Sequence, residues 1–146
     1  MTWQAAYVVP GAGREPYRFV PEASRRARGF AVWAAFRELG RSGIAAMIEH
    51  SCDNAQLFAD LLGAEPGVAI LNEVCLNQVL VRFDDSDERT RAVIAAVQAG
   101  GETWLSGSLW QGRATMRLSA SNWSTTPADV ERSATAILAA HRSLRG

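Results

Sequence analysis

The sequence predicts an α+β fold, an antiparallel sheet layered with helices, on three observations. Periodic segments succeed one another in the order helix, helix, strand, strand, helix, strand, strand, helix. The strands come in pairs joined by short connections, which favours antiparallel pairing over long crossovers. The 146 residues are 48% hydrophobic and 21% charged, an ordinary balance for one globular domain with a real core.

Residues 1–22 carry Pro10, Gly11, Gly13, Pro16 and Pro21 and no sustained period, so they read as an arm. From Ser24 the spacing becomes helical, and Phe30, Trp33 and Phe36 give a broad apolar face. Gly40 and Gly43 interrupt it. A second helix follows Ser42 through Ile44, Met47, Ile48, Ala55, Phe58, Ala59 and Leu62, and stops at Gly63 and Pro66. Val68–Leu71 and the β-branched, alternating Gln78–Phe83 read as strands joined by Asn72–Asn77. Asp84, Asp85, Ser86 and Asp87 offer helix-start chemistry ahead of Val93, Ile94 and Val97, and Gly100–Gly101 closes that helix. Glu102–Ser106 and Ala114–Ala120 are the expected second strand pair, linked by Gly107–Arg113. The last helix opens at Thr126-Pro127-Ala128-Asp129, where a hydroxyl cap, a first-turn proline and an acid three residues on satisfy free amides. Its expected buried stripe is Val130, Ala134, Ile137 and Leu138.

Composition excludes several functions. Fifteen acids balance fifteen bases, so nothing draws the chain to a phosphate backbone or an anionic membrane. No apolar run reaches the roughly 20 residues of a membrane span and the N-terminus lacks a signal-peptide pattern, so a cytoplasmic chain is expected. Cys52 and Cys75 stand alone in apolar contexts and read as buried reduced thiols; His50 and His141 are isolated on helical stretches, so no metal site is expected. All basic residues are arginine. A chain without lysine cannot form a side-chain imine with a cofactor aldehyde.

Catalytic motifs are sparse. There is no nucleophile elbow, no phosphate-binding loop and no His–Cys pair. What remains is a late cluster of Ser106, Ser108, Arg117, Ser119, Ser121, Asn122 and Ser124, interleaved with Trp104, Trp110 and Trp123. Arg117, inside an apolar strand, either faces water or uses its planar fork to grip a carboxylate.

Three stretches carry a resemblance: Pro21-Glu22-Ala23-Ser24-Arg25-Arg26-Ala27-Arg28-Gly29-Phe30-Ala31-Val32-Trp33-Ala34-Ala35-Phe36 with Leu39-Gly40; Leu71-Asn72-Glu73-Val74-Cys75-Leu76-Asn77-Gln78-Val79-Leu80-Val81-Arg82-Phe83; and Met116-Arg117-Leu118-Ser119-Ala120-Ser121-Asn122-Trp123-Ser124-Thr125-Thr126. In order and spacing the chain resembles the C-terminal part of the group II pyridoxal-phosphate-dependent amino-acid decarboxylases, which include aromatic amino-acid and glutamate decarboxylases. The resemblance implies that residues 23–146 form the small C-terminal domain of an enzyme of the aspartate-aminotransferase type, and that residues 1–22 are part of the mobile catalytic loop. It implies α-decarboxylation of an L-amino acid by the intact enzyme, with pyridoxal phosphate as cofactor, an N-terminal cofactor-binding domain as partner, and a homodimer. The family's cofactor lysine, in a His-Lys context, has no counterpart here, so the chain alone is expected to be inactive and to bind no cofactor. Tyr17 resembles the loop tyrosine that returns a proton to the substrate carbon after CO₂ loss, with Tyr7 as a weaker competitor. Arg117 matches the arginine that grips a substrate carboxylate in glutamate decarboxylases; the aromatic enzymes keep it without a side-chain carboxylate to hold. Arg25 and Arg26 match a structural pair opening the helix. Separation from the large domain would leave the face of Phe30, Trp33 and Phe36 uncovered. The alternative is a non-enzymatic α+β module for ligand sensing or dimerisation.

Overall fold

A computed structural model describes residues 26–145. In chain order it contains α1 (Arg28–Gly63), β1 (Val68–Ile70), β2 (Gln78–Phe83), α2 (Asp87–Gly100), β3 (Ser106–Trp110), β4 (Arg113–Ser119) and α3 (Pro127–Ser143). The strands form one four-stranded antiparallel sheet in the order β1-β2-β4-β3, the α+β architecture that the alternation of periods predicts.

The described residues divide into two compact units, the first ending at Arg41 and the second beginning at Ser42. The two expected N-terminal helices are both present within the span of α1, divided where the backbone leaves helical values at Gly40 (φ 61°, ψ −173°). In the first unit Phe30 and Trp33, three residues apart, place their rings 5.7 Å apart, and Phe30, Val32, Trp33, Phe36 and Leu39 are all exposed.

The second unit holds the core. Ala55, Phe58, Ala59 and Leu62 recur at helical spacing on α1, as do Val93, Ile94 and Val97 on α2 and Val130, Ala134 and Ile137 on α3. These pack with Val79, Val81 and Phe83 of β2 and Met116 and Leu118 of β4, so one sheet face supports all three helical stripes. Pairing of Val79 with Leu118 and Val81 with Met116 sets the register by putting apolar side chains opposite one another. Strand alternation then turns Leu80, Arg117, Ser119, Ser106 and Ser108 to the other face.

Helix ends follow the sequence closely. Ser86 caps α2, its hydroxyl accepting from the Arg89 amide, and Gly101 ends that helix in the left-handed conformation. Thr126 and Asp129 form the expected reciprocal capping box on α3, with Pro127 in the first turn.

Three expectations are corrected. Residues 102–105 are not a strand; β3 starts at Ser106 and runs through the segment expected as a linker. Leu105 is buried in the core from a loop, which is why Trp104-Leu105 imitates a strand in sequence. The two-residue turn from β3 to β4 is Gln111-Gly112, both with positive φ (51° and 76°), the left-handed pair that matches hairpin twist. Cys75 is exposed and Cys52 half-buried, because Cys75 lies in the loop before β2 and Cys52 on the flank of the buried stripe. The α3 stripe ends in His141 rather than Leu138: His141 has no exposed surface, while Leu138 is only partly buried.

Beside the strand ends lies an ion-pair network. Arg82 is 5% exposed, a burial met by Asp85 (2.9 Å), Asp87 (2.6 Å) and the Ala114 carbonyl (2.8 Å). These contacts, Asp87 first, raise the Arg82 pKa, and Arg82 in turn is the main group lowering those of Asp87 and Asp85.

Candidate functional site

Arg117 occupies the middle of β4, on the sheet face turned away from the helical stripes. Its cross-strand partners are Leu80 on β2 and Ser106 on β3. The guanidinium is exposed, and its Nη2 donates to Ser106 Oγ at 3.4 Å. Among the described residues it has no carboxylate partner. Both arms of its fork therefore have capacity left for an anion.

Leu80 is 9% exposed and sits opposite the arginine as an apolar neighbour. Its own position is fixed by Asn72, whose Oδ1 accepts from the Leu80 amide at 2.8 Å while its Nδ2 donates to the Gln78 carbonyl at 3.1 Å. Two residues along β4 on either side of Arg117 are Thr115, fully buried and with no hydrogen-bond partner for its hydroxyl among the described residues, and Ser119, exposed and paired with Gln78. Among the described residues the site is thus one arginine on a hydroxyl-bearing face, with no general base beside it.

The late polar cluster read from sequence is not one constellation. Ser106 and Arg117 come together across the strands. Asn122 and Ser124 instead bond each other locally, Asn122 Oδ1 accepting from the Ser124 amide and hydroxyl at 3.2 and 3.1 Å, which shapes the turn ahead of α3. Trp104 and Trp123 are exposed, and Trp110 is at the end of β3. Tyr17, Tyr7 and Arg25 lie outside the described residues, and Arg26 is exposed just ahead of α1.

One bracket escaped sequence reasoning. The Thr125 carbonyl accepts from Asn54 Nδ2 at 3.0 Å and lies 2.6 Å from His50 Nε2, so that ring nitrogen is the donor. This ties α1 to the segment that follows β4. The i,i+4 spacing of His50 and Asn54 was the available signal, since it sets both on one helix face. Nearby, Met47, Ile48, Cys52, Leu76 and Ser121 line a cleft of about 230 Å³.

The sequence offers no lysine for an aldehyde, and among the described residues no three His, Cys, Asp or Glu side chains gather. No described helix is long and apolar enough to cross a membrane.

No protein-family model and no curated protein matches the sequence. Solved structures do match in fold. Oryza sativa TDC with pyridoxal phosphate and tryptamine superposes over 86% of this chain at a TM-score of 0.78 and 18% identity. The glutamate decarboxylase domain of a Vibrio parahaemolyticus diaminobutyrate-pyruvate transaminase and L-2,4-diaminobutyrate decarboxylase matches 77% of the chain at 0.65 and 21% identity. The cysteine desulfurase CsdA from Escherichia coli matches 84% at 0.61 and 18% identity. The chain spans 29%, 25% and 32% of these three structures, respectively. It therefore has the fold of a segment of pyridoxal-phosphate-dependent amino-acid decarboxylases, the architecture that its resemblance implies. A desulfurase sharing that fold shows that the fold leaves the reaction open.

Proposed function

We propose that this chain is the C-terminal small domain of a pyridoxal-phosphate-dependent amino-acid decarboxylase that acts as a homodimer. The observation that carries the reading is the likeness over 86% of the chain to 29% of the Oryza sativa structure, together with the order and spacing of the stretches around Arg25, Asn77 and Arg117. The exposed Phe30, Trp33 and Phe36 supply an apolar surface for a larger domain to cover.

In this reading each residue has a limited task. Arg117 binds and orients a carboxylate of the substrate through its free guanidinium donors. Tyr17, on the arm of residues 1–22, donates its phenolic proton to the substrate carbon that has lost CO₂. Attachment of the cofactor falls to the larger domain, because this chain has no lysine.

Immunoblotting of source-cell extracts with an antibody to this chain, followed by borohydride reduction and peptide mapping, tests the proposal. The expected result is a phosphopyridoxyl-lysine on a polypeptide that contains this chain or co-purifies with it, of roughly threefold greater length where the two are fused, since the chain spans 29% of its structural match. A 15.8 kDa species alone, with no phosphopyridoxyl group in the purified material, overturns it. The isolated chain should take up label only at its N-terminal amine.

A further inference from the structure

We infer that Ser106 is a positioning residue for Arg117, a role that rests on the carboxylate-binding reading of that arginine. Ser106 is the first residue of the edge strand β3, and the register sets it directly opposite Arg117. Directly opposed residues on one face of an antiparallel pair hold their Cβ atoms about 5 Å apart, so a short hydroxyl can reach a guanidinium folded back along the sheet. That contact is made, Nη2 to Oγ at 3.4 Å.

The geometry limits where the guanidinium can go. On the β2 side Arg117 faces Leu80, an apolar neighbour with no group to accept its protons. Among the described residues Ser106 is the hydrogen-bond acceptor that Arg117 uses. An arginine side chain left free samples many rotamers that a ligand must freeze. A hydroxyl that already occupies one of five donors removes part of that disorder and leaves the remaining donors for the carboxylate. Serine is neutral and accepts a single proton here, so it holds the fork without competing for it as an aspartate would.

The test is an NMR titration of the chain with glutarate at constant ionic strength, following the Arg117 Nε–H resonance, in the parent and in Ser106→Ala, Ser106→Thr and Arg117→Ala. The parent should show a saturable shift. Ser106→Ala should raise the apparent Kd about 3- to 10-fold, the range of one lost hydrogen bond, and lower the heteronuclear NOE of the Arg117 side chain. Ser106→Thr, which keeps the hydroxyl on a strand-compatible residue, should return Kd to within about twofold of the parent. Backbone amide spectra report whether β3 remains paired in each variant. If Ser106→Ala binds like the parent while Arg117→Ala loses the shift, the positioning role is wrong and the arginine site stands. If Arg117→Ala responds like the parent, or the parent shows no saturable shift, the carboxylate reading itself fails and the role of Ser106 falls with it.

Discussion

Oδ2 of Asp84 lies 4.0 Å from Nδ1 of His141, a ring with no exposed surface that packs at a tilt against Phe83 at a centroid distance of 5.0 Å. Neither ring nitrogen has a hydrogen-bond partner among the described residues. Asp84 is already engaged by Arg145 at 2.9 Å and Arg89 at 3.4 Å. An unpaired buried polar group costs about 1–3 kcal/mol, whereas an apolar ring of similar shape would keep the contact with Phe83. His141→Phe should therefore leave the chain as stable or raise its unfolding free energy by about 1 kcal/mol, and His141→Ala should lower it by about 2–4 kcal/mol through the cavity left behind. Urea denaturation of the two variants checks this. A Phe variant as unstable as the Ala variant would mean that the imidazole nitrogens hold the end of α3.

Stability should fall on acidification through the α3 capping box. The Asp129 pKa is lowered to about 2, chiefly by the Thr126 hydroxyl, then by the Thr126 amide and Arg132. In the unfolded chain the carboxyl titrates near 3.9, so between about pH 4 and 2 the unfolded state binds the extra proton. Its contribution is present in full above pH 5 and is lost as pH drops through that window. Asp87 and Asp85, also lowered, act in the same direction. Comparing unfolding midpoints of the parent and Asp129→Asn from pH 6 to 2 isolates the cap. Parallel curves would show that the box contributes nothing.

Gln111 takes φ 51° at the first position of the β3–β4 turn, a conformation that asparagine tolerates better. Gln111→Asn should raise stability by roughly 0.5 kcal/mol, the low end of what turn optimisation yields. Differential scanning calorimetry would record a higher Tm; an unchanged or lower one would assign the turn's stability to the strands alone.

In the proposed intact enzyme, Arg117→Ala should weaken substrate binding by about 1.5–3 kcal/mol, the usual worth of a charged hydrogen-bonded contact. Arg117→Lys should restore part of it, since a lysine provides the charge without the fork. Steady-state kinetics that leave KM at the parent value in both variants would make Arg117 a surface residue.

Tyr17→Phe in the same enzyme should slow turnover and leave substrate affinity nearly unchanged, because only a proton donor is removed. Pairing kcat measurements with a binding titration separates the two. A normal kcat would move the role to Tyr7 or away from this chain.

The sequence by itself carried the architecture, because the signals that define it are local. Thr126 and Asp129 announce the start of α3, Ser86 that of α2, and Gln78–Phe83 alternates as a strand must. It also excluded imine chemistry on a side chain of these 146 residues, since that depends only on which residue types are present. What escaped it depends on neighbours distant in the chain. Glutamine is not a usual left-handed turn residue, so the Gln111-Gly112 hairpin was hidden and β3 was expected four residues too early. Arg117 was legible as a candidate, but its neighbours were not: Ser106 and Leu80 are brought beside it from 11 and 37 positions away by the register. Likewise His50 and His141 look alike in sequence. One becomes a donor to a carbonyl 75 residues away and the other an unpaired ring in the core, because only packing decides which polar atoms meet a partner.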